Sequence, residues 1–534
     1  MPAGLISPIG LDLPVNAIDH LLEIPARHGE RPFMIDARSG ETVTFGCLHD
    51  DARRVAADLR RRGLRRGDRL ALVLNNSTAL ARLYLGCLYA GVVTVPVNPA
   101  LAAPEIEFIL RHSGARMLVL SGETERCAPG LRSPPMEPSM KPAAELSTLL
   151  LADGRAALPA GSEPWDPCAL EADGTLPLDS ASPEDTMTIV YTSGTTGRPS
   201  GVVHRIGDLI DNGRLFGAIV GVQPHHRFYG VLAMTYLGGY YNLMMLPYVN
   251  CASVVLTDAF DARAALDFFS PAARHGVNAL WLVPAIMSIL LEMDRGSVGE
   301  DLCRNAIDLA LVGTAPLPPS LRRAFEQRYG VRLLENYGLS ETLFLTTNVR
   351  QGETIDGSVG RVLPGVKVRV DEGELLVRTP YLMEGYYDAQ REGPARLDPG
   401  VWFPTGDVGH IDSEGNVFIT GRRKDLIIRG GVNVSPAAAE DVLLEHPSVA
   451  ECAVIGVPHP LYGEDSAAVV RLLAGADEAQ TRRELLAACR ERLGATNRPA
   501  RIVFLKELPH SSSGKVQKSR LRELLSSEAA AVRT

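Results

Sequence analysis

Apolar residues recur on one helical face in CLHDDARRVAADLRRRG, where Leu48, Ala52, Val55 and Leu59 lie three or four positions apart. Charged residues fill the opposite face. The spacing predicts an amphipathic helix ended by Gly63. The pattern then turns to short, continuous apolar runs. RLALVLNN (69–76) predicts a buried strand, STALARLYLGCLYAG a helix, VVTVPV (92–97) a strand, PEIEFILRHSG a helix and RMLVL a strand. Strands alternating with helices imply parallel βαβ units and a layered α/β fold.

Residues 121–185 break this rhythm. They are rich in Pro, Gly, Ser, Glu and Ala, as in LRSPPMEPSMKP, and read as a variable, partly mobile surface insertion with little chemistry. The α/β pattern resumes at TMTIVYTSG and runs to about residue 375. GELLVRTP and the segment around VFITG are more strand-rich. After GRRKDLI (421–427) a second, small unit begins. Its helix SPAAAEDVLLEH opens at Ser435 and Pro436; strands AECAVIGV and SAAVVRLL, helix TRRELLAACRERL, strand RIVFL and a last helix from about Lys518 follow. There is no internal repeat. The expected division is a large region over 1–422 and a smaller one over 423–534.

Composition narrows the classes of function. A chain of 534 residues has room for about three to four domains or subdomains. A formal net charge of -9 argues against a nucleic-acid binder. The cluster Arg53, Arg54, Arg60, Arg61, Arg62, Arg65 and Arg66 reads as the solvated face and end of a helix. The eight cysteines are scattered without a C-x-x-C pair, which excludes the usual zinc and dithiol motifs and suits a reducing compartment. The N-terminus lacks the basic and apolar regions of a signal peptide, and no apolar run reaches the ~18 residues of a membrane span. A soluble, cytoplasmic protein is expected.

The most specific motif is YTSGTTGRPSGVVH, Tyr191 to His204. It leaves the apolar run MTIV, hence the C-terminal end of a strand, where open α/β sheets bind ligands. Gly194 and Gly197 let backbone N–H groups turn inward, and Thr192, Ser193, Thr195 and Thr196 add hydroxyl donors. Such a nest suits a polyphosphate. It is not the P-loop of the NTPases, because Val follows the last glycine of GTTGRPSG where that pattern requires Lys and then Ser or Thr.

The loop resembles the phosphate loop of the adenylate-forming superfamily, which comprises acyl-CoA synthetases, peptide-synthetase adenylation domains and beetle luciferases. The resemblance continues in order through LVGTAPLP (311–318), NYGLSET (336–342), GELLVRTPYLMEGYYD (373–388), WFPTGDVGHIDSEGNVFITGRRKD (402–425) and SSSGKVQ (511–517). GVPHPLYGED (456–465) resembles the acyl-CoA synthetases more than the luciferases. The resemblance implies an α/β protein with layered N-terminal subdomains, a β-rich subdomain and a small, mobile C-terminal α+β lid. It implies a ligase that joins a carboxylic acid to CoA through acyl-AMP. Its small molecules would be ATP or acyl-AMP, Mg²⁺ and CoA.

The same match implies roles for single residues. Gly313, Thr314, Ala315, Asn336 and Tyr337 would bind the nucleotide, with Asn336 at the adenine edge and Tyr337 stacked on the ring. Asp407 would accept from the ribose hydroxyls, assisted by Arg422. Glu341 would ligate Mg²⁺, and Ser340 stands where the family usually has Thr. Lys424 would be the hinge. Lys515 would bridge the acid and the α-phosphate during adenylation, with Lys518 the weaker candidate. The acyl pocket would draw on Tyr236, Tyr240, Gly338 and Leu343, with Tyr241 nearby. Tyr236 stands near the place of a common family His, and the tyrosines suit a bulky, hydrophobic acid better than acetate; they suit a core equally well.

One departure matters. The family's loop carries Lys where this chain has Ser200. Loss of a preorganised cationic donor at the leaving phosphates costs about 10²–10³ in rate. Either Arg198, or His204 with Arg205, substitutes and the ligase is complete, or adenylation is impaired or lost. In the second case a separate adenylating enzyme would supply acyl-AMP. A stand-alone loader of a carrier protein and a nucleotide sensor without catalysis are the remaining alternatives.

Overall fold

A computed structural model describes residues 16–124, 127, 147–151, 162–166, 181–193, 199–261, 263–351, 354–398, 400–429, 432–459, 461–494, 497–510 and 516–531. The helix predicted around residues 48–62 forms over Phe45–Arg61, and the Thr44 side chain accepts from the Cys47 N–H at its start. The next helix, Thr78–Ala90, is capped by Ser77 and stopped by Gly91, which has φ +66°. These helices pack so closely that a Cβ on Gly86 would lie 2.3 Å from Val55 Cγ1.

Two large sheets hold the fold together. In the first, strands Ser253–Leu256, Arg227–Gly230, Ala279–Leu282, Leu309–Val312 and Leu334–Leu339 lie side by side and parallel. Beyond Leu334–Leu339 the pairing turns antiparallel, through Leu343–Thr347, Ser358–Val362, Asn416–Arg422, Phe403–Ile411, Glu374–Arg378 and Lys367–Asp371. In the second sheet Arg69–Val73, Val93–Pro96, Met117–Leu120 and Thr186–Ser193 are parallel, as the alternating runs predict. Pro199–Arg205 then folds back on Thr186–Ser193 as a hairpin, and the distant strand Gly385–Asp388 pairs with that hairpin. The main core lies where both sheets meet the helices between them, around Tyr84, Phe216, Phe228, Trp281 and Phe325.

The insertion needs one correction. Within 121–185, strands Ser147–Leu151 and Ser162–Trp165 extend the second sheet in parallel. Trp165 is buried and its indole N–H donates to Asp58 at 2.9 Å. Apolar residues too few to show periodicity still add to a sheet edge that offers unpaired backbone groups.

The C-terminal part carries its own sheet, with Ile427–Arg429, Val432–Val434, Gly463–Leu472, Val449–His459 and Arg501–Phe504. Helices Pro436–Leu444, Glu478–Arg492 and Lys518–Ala531 accompany it, close to the predicted positions. Ser435 does not cap its helix; its hydroxyl donates to the Thr420 carbonyl and ties the small domain to the large one. Among the described residues no helix is long and apolar enough to cross a membrane.

Candidate active site

The parallel strands end in segments that carry the candidate residues. Gly313 directly follows Leu309–Val312, and Tyr337 lies in Leu334–Leu339. A Cβ on Gly313 would lie 2.5 Å from Asn336 Oδ1, so only glycine lets these strands approach. Thr314 then takes φ +68°, a left-handed conformation that turns the chain away from the sheet. Asn336 is buried and its amide donates to the Val312 carbonyl at 2.9 Å. One amide hydrogen therefore braces two strands instead of facing a ligand. Ala315, half-buried, follows Thr314 along the same turn.

Asp407 joins distant parts of the chain. It is 2% exposed. The Tyr337 hydroxyl donates to Oδ2 at 2.6 Å, and Arg422 Nε to Oδ1 at 2.7 Å. Asp407 and Arg422 face each other in register across the antiparallel pair Phe403–Ile411 and Asn416–Arg422. Burial, and then the neighbouring Asp407 charge, push the Tyr337 hydroxyl well above the usual phenol range, so it stays a proton donor. Glu374, also buried, accepts from the Gly406 N–H at 2.9 Å and from Arg423. One carboxylate thus holds the turn before Asp407 and the residue before Lys424. Lys424 is exposed in the short turn Arg423–Asp425.

The glycine-rich loop sits on the hairpin of the second sheet. Tyr191, at its start, donates to or accepts from His112 Nδ1 at 2.8 Å and packs into the smaller core of this sheet. Thr192 pairs with Ser200 across the hairpin and Ser193 with Pro199. Gly194, Thr195, Thr196, Gly197 and Arg198 lie outside the described residues. A Cβ on Gly201 would meet Ile189 at 2.8 Å, and so the strand after Ser200 is held flat against its partner.

Of the cations expected to substitute for lysine, two are already engaged. His204 is fully buried, and its Nε2 lies 2.6 Å from the Ser340 carbonyl. Burial pushes the imidazole down to about 4, so it is neutral and its Nε2–H donates to that carbonyl. His204 cannot offer a charge to phosphate; it braces the Ser340–Glu341 turn. Arg205 pairs with Glu184 at 3.0 Å and with the buried Glu384 at 3.8 Å.

Glu341 is held from the same side. Its carbonyl accepts from the Met383 N–H at 2.8 Å, and its Oε1 accepts from the Tyr386 hydroxyl at 2.8 Å. Among the described residues nothing bonds Oε2, which leaves one hard oxygen able to take a Mg²⁺ ion. The donor set therefore fits a cation held by one carboxylate together with phosphate oxygens. Ser340, half-buried, is fixed through its carbonyl.

The acyl-pocket expectations divide. Tyr236 is half-buried in the segment after Arg227–Gly230 and packs against the edge of the main core. Gly338 is exposed, and a Cβ there would lie 2.1 Å from the Leu343 carbonyl oxygen. Tyr240 and Leu343 are core residues instead. Tyr240 is 0% exposed and stacks on Tyr84 with ring centres 4.1 Å apart. Leu343 is buried in the main core. Tyr241 is also buried, and its hydroxyl donates to Asn212 at 2.7 Å. Helical spacing does not reveal which ring of a tyrosine cluster turns inward. Lys515 lies outside the described residues, and Lys518 is paired with Glu440 at 2.7 Å.

Tyr386 and Glu374 are the neighbours that sequence reasoning passed over, whereas His204, expected as a stand-in cation, is a brace instead. The only signal for them was their place inside stretches of family resemblance.

Two layered α/β sheets, a β-rich region and a small C-terminal domain define the architecture of the adenylate-forming ligases. The chain belongs to the AMP-binding enzyme family: that family matches residues 21–387, and the AMP-binding enzyme C-terminal domain matches residues 438–515. It is an acid–thiol ligase of the acyl-CoA synthetase kind. A sulfoacetate–CoA ligase of Cupriavidus necator is 32% identical over 93% of this chain and 95% of its own length. An octahydroindenyl-propanoyl:CoA ligase of Rhodococcus jostii is 32% identical over 90% and 93%. The crystal structure of the anthranilate CoA ligase AuaEII in complex with anthranoyl-AMP superposes with a TM-score of 0.83 at 25% identity, covering 97% of this chain and 98% of that one.

Proposed function

We propose that this ligase forms the CoA thioester of a bulky, hydrophobic carboxylic acid through acyl-AMP, with its adenylation half-reaction impaired. In the first step a carboxylate attacks the α-phosphate of ATP and pyrophosphate leaves. In the second, the thiol of CoA attacks the mixed anhydride and AMP leaves. Asp407, held by Tyr337 and Arg422, takes the ribose hydroxyls. Gly313, Thr314 and Ala315 line the nucleotide, and the loop from Thr192 to Gly197 takes the phosphates through backbone N–H groups and hydroxyls. Glu341 would hold Mg²⁺, which when bound would neutralise charge on the phosphates. Lys515 bridges the acid and the α-phosphate. The small domain, 423–534, rotates about Lys424 between the two steps.

The observation that carries the impairment is the short, uncharged Ser200 on the strand leaving the loop, with His204 neutral and Arg205 already ion-paired. Arg198 remains as the candidate for a compensated, complete ligase. A partner enzyme that supplies acyl-AMP follows only from the impaired reading. Support for a bulky acid comes from Tyr236 and from the bicyclic acid in the name of the Rhodococcus relative. The sulfoacetate relative, equally identical, favours a small charged acid instead.

The test is pyrophosphate release with ATP, CoA and a panel of acids from acetate and sulfoacetate to bicyclic propanoates. Native protein and Ser200→Lys are compared. The impaired reading expects release to rise about 10²-fold or more in the variant. Equal release from both refutes it. Preference for the small acids refutes the bulky substrate. Thioester formation from supplied acyl-AMP separates a ligase from a sensor.

A further inference from the structure

Glu341 lies in a hairpin turn of the first sheet, and residues on and beside the second sheet reach across to hold it. His204, on the strand after the glycine-rich loop, bonds the Ser340 carbonyl. Met383 bonds the Glu341 carbonyl. These two bonds already fix the backbone. Tyr386 adds a bond that the backbone does not need: its hydroxyl reaches Oε1 at 2.8 Å.

The strand Gly385–Asp388 accounts for this reach. Successive side chains of a strand point to opposite faces. Tyr387 is buried in the smaller core, beside His112 and against Gly201. Tyr386 must then face the other way. It pairs in register with Val202, two residues along from Ser200, and is 39% exposed. A phenol is thereby placed next to the strand that leaves the loop and aimed at one oxygen of one carboxylate.

We propose that Tyr386 is a positioning residue for the metal: it fixes the carboxylate of Glu341 so that Oε2 faces the phosphates with its lone pairs free. The inference rests on the reading of Glu341 as the Mg²⁺ ligand. Outer-shell partners of this kind hold a ligand in one orientation, and their loss weakens metal binding about 10–100-fold. In a chain whose loop carries Ser200 in place of a cation, a metal held by Glu341 would supply more of the charge neutralisation at the phosphates, so the orientation of that carboxylate matters more.

The test is Mn²⁺ binding to the protein saturated with α,β-methylene-ATP, followed by electron paramagnetic resonance. Native protein, Tyr386→Phe and Glu341→Gln are compared. Phenylalanine keeps the ring and removes only the donor. The expected result is about a tenfold weaker Mn²⁺ affinity for Tyr386→Phe and a larger loss for Glu341→Gln. ATP–pyrophosphate exchange by Tyr386→Phe, in the Ser200→Lys background, should recover as Mg²⁺ is raised; a merely structural role would not respond to metal. Unchanged Mn²⁺ affinity in Tyr386→Phe, with weaker binding in Glu341→Gln, overturns this inference alone. Unchanged affinity in both, or no protein-bound Mn²⁺ signal in the native protein, overturns the Glu341 reading and this inference with it.

Discussion

Replacing Asp407 by Asn tests the nucleotide site most directly. The carboxylate is 2% exposed and accepts from the Tyr337 hydroxyl at 2.6 Å and from Arg422 Nε at 2.7 Å. Both distances are those of strong, charge-assisted bonds. An amide of the same shape offers one acceptor oxygen, not two. Facing Tyr337, Arg422 and the ribose hydroxyls, it cannot satisfy all of them. Hydrogen bonds to a charged group contribute about 1.5–3 kcal/mol each, and the variant converts one to a neutral bond and loses another. The Arg422 side chain is 41% exposed, so its pairing with Asp407 is discounted for screening. A net loss of about 2–3 kcal/mol is expected, which is about 30–150-fold in dissociation constant. Calorimetric titration with ATP, or with a non-hydrolysable acyl-adenylate analogue, measures it. Thermal unfolding beside the native protein checks that the fold survives. Binding within threefold of native in a folded variant would refute the assignment of Asp407 to the ribose.

The buried His204 makes stability depend on pH. Its imidazole is held near 4, against about 6.5 when unfolded. Below about 6.5 the unfolded chain takes up a proton that the native chain does not, so stability falls as pH drops from about 6.5 toward 4, by about 3 kcal/mol from this group. His204→Gln should flatten the fall in urea midpoint between pH 7 and pH 5; an unchanged fall would refute the buried neutral imidazole. Gly338→Ala places a methyl 2.1 Å from the Leu343 carbonyl oxygen and should lower stability by about 1–3 kcal/mol in urea unfolding. Lys515→Ala should reduce ATP–pyrophosphate exchange about 10²-fold in the Ser200→Lys background while thioester formation from supplied acyl-AMP persists; equal loss of both steps would refute its assignment to adenylation. Glu374→Gln frees Arg423 and loosens the turn at Gly406, so nucleotide affinity should fall about tenfold; native affinity in that variant would show that the turn holds without it.

Local pattern was enough for the elements and for the kind of chemistry. The three- and four-residue spacing of Leu48, Ala52, Val55 and Leu59 and the stop at Gly63 mark the first long helix because periodicity and backbone freedom act over a few residues. The glycine-rich run after a buried strand raised the expectation of a phosphate site for the same reason. The insertion was less legible: Trp165 finds its partner only at Asp58, 107 residues away.

Partnership was decided by the tertiary structure alone. Tyr337 meets Asp407 across 70 residues, and Tyr386 meets Glu341 across 45. His204 follows the loop like a phosphate ligand but turns inward to the Ser340 carbonyl, 136 residues on. Tyr240 and Tyr236 stand four residues apart, yet one stacks in the core and the other is only half-buried. Sequence by itself determined the class of fold, because backbone preference and burial pattern are written in short stretches, and its ordered motifs carried the family resemblance that implied the reaction. Which side chain meets which depends on strand order and register, and these are set only when distant strands close into one sheet.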